Sequence, residues 1–231
     1  MFDISPAEWT AILLSLRVAV VATLVATPFG IALAWLLARR EFWGKSILDA
    51  AVHLPLVLPP VVTGYLLLLT FGRRGLVGAW LADHLGIVFA FRWTGAALAC
   101  GIMSFPLLVR PIRLSIEAVD RRLEQAAGTL GAAPWRVFWT VTLPLALPGV
   151  LAGMVLGFAK AIGEFGATIT FVSNIPGETQ TISSAIYSLI QTPDGDAAAG
   201  RLVIVSIVLA IGALIAAEWF ARRATQRLHG N

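Results

Sequence analysis

Charged and nucleophilic side chains are sparse in this sequence, so those inside apolar runs are the first candidates for chemistry. Lys160 and Glu164 stand four residues apart in an otherwise uncharged run. At i and i+4 they share one helical face and can neutralise each other. Each charge inside a bilayer costs at least about a few kcal/mol unless paired or hydrated. The pair therefore has two readings: a structural ion pair, or a translocation path in which Lys160 supplies positive potential to an anion and Glu164 holds it in place. His53, His84 and His229 are far apart, and no H-E-x-x-H or G-x-S-x-G occurs. Cys100 is a single cysteine inside an apolar run, which gives neither disulfide nor metal spacing and suits a small packing residue. The phosphate-cradling G-x-x-x-x-G-K-[ST] is also missing: the stretch 153–160 has neither its spacing nor its hydroxyl. No catalytic residue, metal site or cofactor is expected in the chain, and ATP hydrolysis by that route is excluded.

The longest polar-containing interruption is 120–144, between two apolar segments. Leu123, Ala126, Ala127 and Leu130 fall at i, i+3, i+4 and i+7, which predicts a helix with one narrow stripe of mostly small apolar residues. Such a stripe lets another backbone come close. Gly131 can supply a left-handed residue to end that helix, and Pro134 can open a second short one through Trp139. The expected product is a helix, a bend and another helix lying across the membrane face.

These elements sit in a chain that composition assigns to the bilayer. Of 231 residues, 58% are apolar and 13% charged, against roughly 25% charged in soluble proteins. Basic residues lie at the ends of apolar runs, so membrane topology, not nucleic acid, accounts for the net charge of +4. Asp3 and Glu8 without a basic n-region argue against a cleaved signal peptide. The run 18–38 is long enough for a first span. A second, 50–71, contains Pro55, Pro59 and Pro60 and is expected to be broken or bent, facing a partner helix. The segment 72–93 reads as interfacial. A third span covers 94–109, lengthened by Arg110, and a fourth 145–173; 182–190 is too short to cross and reads as re-entrant or surface helix, and a last span begins at 202–217. One side carries Arg39, Arg40, Lys45, Arg110, Arg113, Arg121, Arg122, Arg136, Arg222, Arg223 and Arg227, which is 11 basic residues, and the other Arg73, Arg74, Arg92 and Arg201, which is 4. By the positive-inside rule the N-terminus is outside, the C-terminus cytoplasmic, and 120–144 cytoplasmic.

The spacing Gln125-Ala126-Ala127, then Gly131, then Val141-Thr142-Leu143-Pro144 resembles the EAA loop of binding-protein-dependent ABC importer permeases. Two positions depart from the family pattern: Gln125 stands for Glu, with Glu124 one residue earlier, and Val141 stands for Ile. Longer strings resemble the molybdate branch of these permeases: HLPLVLPPVV at 53–62, FGRRG at 71–75, GEFGATITFVSNIPGET at 163–179 and LIQTP at 189–193. The resemblance covers most of the chain. It implies an all-α integral membrane protein, a type I ABC importer transmembrane domain of about five full spans plus short re-entrant or interfacial helices, with 1–231 as one permease domain. It further implies a homodimer with a second copy of the chain, cytoplasmic ABC ATPase subunits that carry ATP-Mg, and a periplasmic molybdate-binding protein, in a bacterial inner membrane. In that family the loop 120–144 is the coupling helix, so Glu124, Gln125, Ala126, Ala127, Gly131, Leu143 and Pro144 are the expected ATPase-coupling residues. A carboxylate contact kept by Glu124 and an amide contact made by Gln125 are both open. A sulfate or thiosulfate permease shares the loop spacing; an ion-driven secondary transporter or a scaffold would not need it.

Overall fold

The structure, a computed structural model, describes residues 4–229. Asp3, used above in reading the N-terminus, lies outside the described residues, as do the side chains of Arg222, Arg223 and Arg227. The described chain is helical: α1 (Pro6–Arg39), α2 (Lys45–Val57), α3 (Pro60–Phe71), α4 (Leu76–Leu85), α5 (Trp93–Ala118), α6 (Arg121–Thr129), α7 (Pro134–Val137), a π-helical turn (Phe138–Thr142), α8 (Leu143–Ile162), α9 (Gly166–Val172), α10 (Ile182–Leu189) and α11 (Asp196–His229).

Helix α1 begins in a capping box. Ser5 Oγ accepts the Glu8 N–H at 3.3 Å while the Ser5 N–H donates to Glu8 Oε2 at 2.6 Å, which satisfies two amides that the first turn would otherwise leave without partners. At 34 residues it is about 51 Å long, well beyond the roughly 30 Å hydrocarbon thickness. Its ends therefore reach into the loops on both sides, where they meet the residues discussed below. Helices α2 and α3 are bent by 115° at Leu58-Pro59-Pro60, where two consecutive residues lack an N–H and Leu58 is held extended before proline (ψ 143°). The second span is thus broken, as its prolines lead one to expect, and the break falls at Pro59-Pro60, while Pro55 is carried inside α2.

The long-range contacts fix the order of crossings. Arg39 Nη2 donates to the Val119 carbonyl at 3.0 Å, joining the C-terminal ends of α1 and α5, and the Arg17 guanidinium lies 3.8 Å from the centre of the Trp93 ring near their other ends. The two helices run parallel, so the segment between them must cross back. It starts beside the end of α5, where Asp49 Oδ1 meets Arg113 Nη1 at 2.9 Å, and delivers the chain to Trp93. Helix α8 returns antiparallel to α5, with Cys100 Sγ donating to the Ala161 carbonyl at 3.5 Å, and Arg201 near the start of α11 pairs with Glu8 at 3.0 Å. Among the described residues four helices are long and apolar enough to cross a membrane, or five where the bent pair is counted as one span. The core lies between α1, α5 and α8, built from residues such as Val18, Ala96, Met103, Leu108 and Ile112. Gly153 lets α8 pack directly on α5: a Cβ there would stand 2.5 Å from the Leu108 carbonyl oxygen.

Two expectations are corrected. The fourth span does not continue over 145–173; α8 ends at Ile162, the chain turns through Gly163 and Glu164, and α9 begins separately at Gly166. The physical reason is the turn at Gly163 together with Glu164, which lies one residue before the N-cap Phe165 and whose Oε1 accepts the Ala167 N–H at 2.9 Å, satisfying a first-turn amide of a new helix. The second helix of the elbow is also not a separate element across the membrane face. It runs through the π-turn into α8 as one 29-residue helix, Pro134–Ile162. The short helix expected over 182–190 is present as α10, its first amide, that of Ile182, donating to Ser15 Oγ of α1 at 2.7 Å.

Candidate functional site

The elbow between α5 and α8 is assembled from strong local signals. Asp120 Oδ1 accepts the Arg122 N–H at 2.9 Å as an N-cap for α6. At the other end Gly131 has φ +86°, and the Ala132 N–H reaches back to the Ala127 carbonyl at 3.1 Å while the Gly131 N–H bonds that of Gly128 at 3.0 Å. This is a Schellman-type stop, in which a left-handed residue turns the chain so that the last carbonyls find donors. Pro134 then occupies the first helical position, where its missing N–H is of no consequence.

The π-turn has its own local cause. Pro144 cannot donate to the carbonyl of residue 140, and its ring would crowd that carbonyl in a regular helix. The turn before it widens, and the Leu143 N–H bonds the Phe138 carbonyl five residues back. Leu143 itself packs against the core cluster of α1, α5 and α8, whereas Pro144 is exposed.

No residue of α6 is buried. The apolar stripe read from the sequence is present but uncovered: Leu123 is 50% and Leu130 89% exposed, and Trp135 and Trp139 beyond the bend are 64% and 60% exposed. Gln125 and Ala126 are exposed as well. Among the described residues these four large apolar side chains are at least half exposed on a compact polar-framed element, which is how a docking surface differs from a folded core.

Glu124 faces the other way. Its Oε1 accepts Arg39 Nε at 3.2 Å, Arg39 Nη2 at 3.0 Å and Thr142 Oγ1 at 2.6 Å. The Arg39 side chain is only 8% exposed and Thr142 is buried within the π-turn. Of the two arrangements open from the sequence, Glu124 is committed inside the chain and Gln125 is the residue left on the outer face. A cavity of about 360 Å³ lies beside this cluster, between the end of α1 and the elbow, lined by Trp35, Arg40, Arg121 and Phe138 among others.

Lys160 and Glu164 do meet, Nζ to Oε2 at 2.7 Å. The Glu164 side chain is 1% exposed and Lys160 29%, so the accessible member of the pair is the cation. Glu164 also holds α9, as described, which sequence spacing did not suggest. A larger cavity, about 670 Å³, lies between α1, α2 and α5, lined by Phe29, Pro55, Phe89, Trp93 and Phe105 among others, with no titratable side chain. Among the described residues no three His, Cys, Asp or Glu side chains gather as a metal site.

Sequence reading found the elbow and the Lys160–Glu164 pair but missed Arg39 and Thr142 as partners of Glu124. Arg39 lies 85 residues from Glu124 and had entered only as a marker of topology. The one local signal was the Leu143-Pro144 step, which sets the turn that directs Thr142 inward.

Comparison with known proteins places these features in context. Residues 26–226 match the family described as binding-protein-dependent transport system inner membrane component. The chain is 62% identical over 220 residues to the molybdenum transport system permease protein ModB of Escherichia coli (strain K12), covering 95% of this chain and 96% of that one. It is 57% identical to the protein of the same name from Haemophilus influenzae, covering 96% of each. Its fold is similar to that of a crystal structure of a bacterial ABC transporter involved in import of the acidic polysaccharide alginate, with a TM-score of 0.73 at 20% identity over 95% of this chain and 80% of the other.

Proposed function

The chain belongs to the inner membrane components of binding-protein-dependent transport systems, and on that premise we propose that it is the permease subunit of an ATP-driven importer of molybdate. It is a multi-pass inner membrane protein and a transport subunit, not an enzyme. The observation that carries the substrate is the 62% identity over nearly the whole length of both chains to a molybdenum permease. The uncovered elbow supports the ATP-driven part of the reading. Its exposed Leu123, Leu130, Trp135 and Trp139 suit a groove on a cytoplasmic ATPase, which would bind and hydrolyse ATP-Mg. Gln125, Ala126 and Ala127 would lie at that contact, Gly131 would set its bend, and Leu143 and Pro144 would join it to α8.

In this reading two copies of the chain form the path. A periplasmic protein delivers the oxyanion to the face bearing the α9–α10 loop and the 193–196 turn, and the two ATPases drive the elbows together to switch access. The N-terminus is outside and the C-terminus cytoplasmic, in keeping with the distribution of basic residues. Lys160 contributes positive potential to the path. The accessible cation and buried carboxylate support this, because a pair arranged so presents positive charge to its surroundings.

The test is uptake of labelled molybdate into vesicles holding this chain with its ATPase and a loaded binding protein. ATP-dependent uptake that excess tungstate suppresses and excess sulfate leaves intact is the expected result. Suppression by sulfate would reassign the substrate. Uptake without an ATPase would remove the importer reading altogether.

A further inference from the structure

We propose that Arg39, Glu124 and Thr142 form a latch that makes the elbow and the ends of α1, α5 and α8 one rigid lever, with Glu124 as a positioning residue for coupling. The proposal rests on the transporter reading above and adds a device to it. One carboxylate oxygen receives all three donors: Arg39 Nε at 3.2 Å, Arg39 Nη2 at 3.0 Å and Thr142 Oγ1 at 2.6 Å. Arg39 Nη2 also holds the Val119 carbonyl at 3.0 Å, the residue that ends α5. Three side chains therefore join the last residue of α1, the end of α5, the first turns of α6 and the turn that leads into α8.

The geometry answers a mechanical need. Helix α6 has no buried residue and is joined to its neighbours by short links, at Val119-Asp120 and through Gly131. A push on α6 alone would be absorbed by bending at those links. The latch removes that freedom, because displacement of Glu124 pulls on Arg39 and Thr142 at once. Charge-assisted hydrogen bonds to a largely desolvated guanidinium are suited to this, being stronger than neutral ones and costly to leave unpaired. The π-turn is part of the device: it carries Thr142, 1% exposed, and such turns in long helices are frequent where movement or function is concentrated. Gln125, the exposed neighbour, is turned about 100° from Glu124 on the same helical turn, so the outer face and the latch are one residue apart.

The experiment uses the full transporter in vesicles, with ATPase and molybdate-loaded binding protein, and reads molybdate taken up per ATP hydrolysed together with copurification of the ATPase. In Glu124→Ala the ATPase is retained and hydrolysis continues, while uptake per ATP falls by about tenfold, within the range for residues that carry coupling between sites. Glu124→Gln keeps the shape and an acceptor oxygen but loses the charge, so it recovers only part of the ratio, whereas a purely packing role would be restored in full. Thr142→Val keeps the side-chain shape, removes one donor, and lowers the ratio by about threefold. Wild-type vesicles without ATP-driven uptake would overturn the transporter reading and the latch with it. Wild-type uptake with an unchanged ratio in Glu124→Ala overturns the latch alone. If Glu124→Ala loses its ATPase, Thr142→Val decides: a wild-type ratio there overturns the proposal, and a lowered ratio upholds it.

Discussion

Two glutamates in this chain do similar electrostatic work at different ranges. Glu164 pairs with Lys160 four residues away and caps the helix that follows; Glu124 joins Arg39, 85 residues away, to Thr142, 18 residues away. The first carboxylate is almost fully buried and its partner lies on the adjoining helix end. The second is 19% exposed and its partners lie on two other elements. A local pair decides where one helix stops and the next begins, whereas a long-range pair decides which elements move together. Burial sets the cost of losing either: a buried charge left alone has no water to turn to, while a half-buried one recovers part of its solvation.

That contrast can be tested in order of expected size. Glu164→Ala removes the charged hydrogen bond to a partly solvated Lys160 and the acceptor of the Ala167 amide, so it should lower stability by about 2–4 kcal/mol, read as reduced folded yield and a lower melting temperature in detergent. A mild effect there would break the comparison. Leu130→Asp on the exposed stripe should leave the melting temperature unchanged and weaken ATPase binding by about 2 kcal/mol, roughly thirtyfold, as for a buried anchor of an interface; a binding assay with the purified partner checks it. Thr142→Val should cost about 0.5–1.5 kcal/mol, a typical hydrogen bond, seen as faster amide exchange confined to α6 and the π-turn. Lys160→Gln keeps a side-chain N–H that can still donate to the buried Glu164 carboxylate beside its bond to the Ala167 amide, so the fold should tolerate it, while uptake falls by at least about twofold through loss of positive potential. Full uptake at unchanged expression would assign the Lys160–Glu164 pair to structure alone.

Much of the elbow was legible because its signals are local. Gly131 as left-handed stop and Pro134 as opener each act within a few residues, and the structure contains both; the Asp120 cap is equally local but was not read. The fourth span was misread for a related reason. The apolar run 145–173, interrupted only by Lys160 and Glu164, suggested one span, but hydropathy reports burial in lipid and is blind to a carboxylate that folds back on the next backbone amide. The i, i+4 spacing of Lys160 and Glu164 gave their contact correctly and concealed that Glu164 is no longer in the helix.

Sequence by itself determined what depends on composition and near neighbours: that the chain lies in a membrane, that its proline-bearing second crossing is broken or bent, that its elbow is a helix stopped at Gly131 and followed by a bend, and which apolar residues that helix carries. Only the tertiary structure decided which way Glu124 faces. Its partners come from the end of α1 and from the turn entering α8, and the distance between them in sequence carries no trace of their distance in space. Hydrogen bonds fall off within about an ångström of their best length, so a contact of this kind exists only once the spans have packed and set the ends of α1, α5 and α8 beside one another.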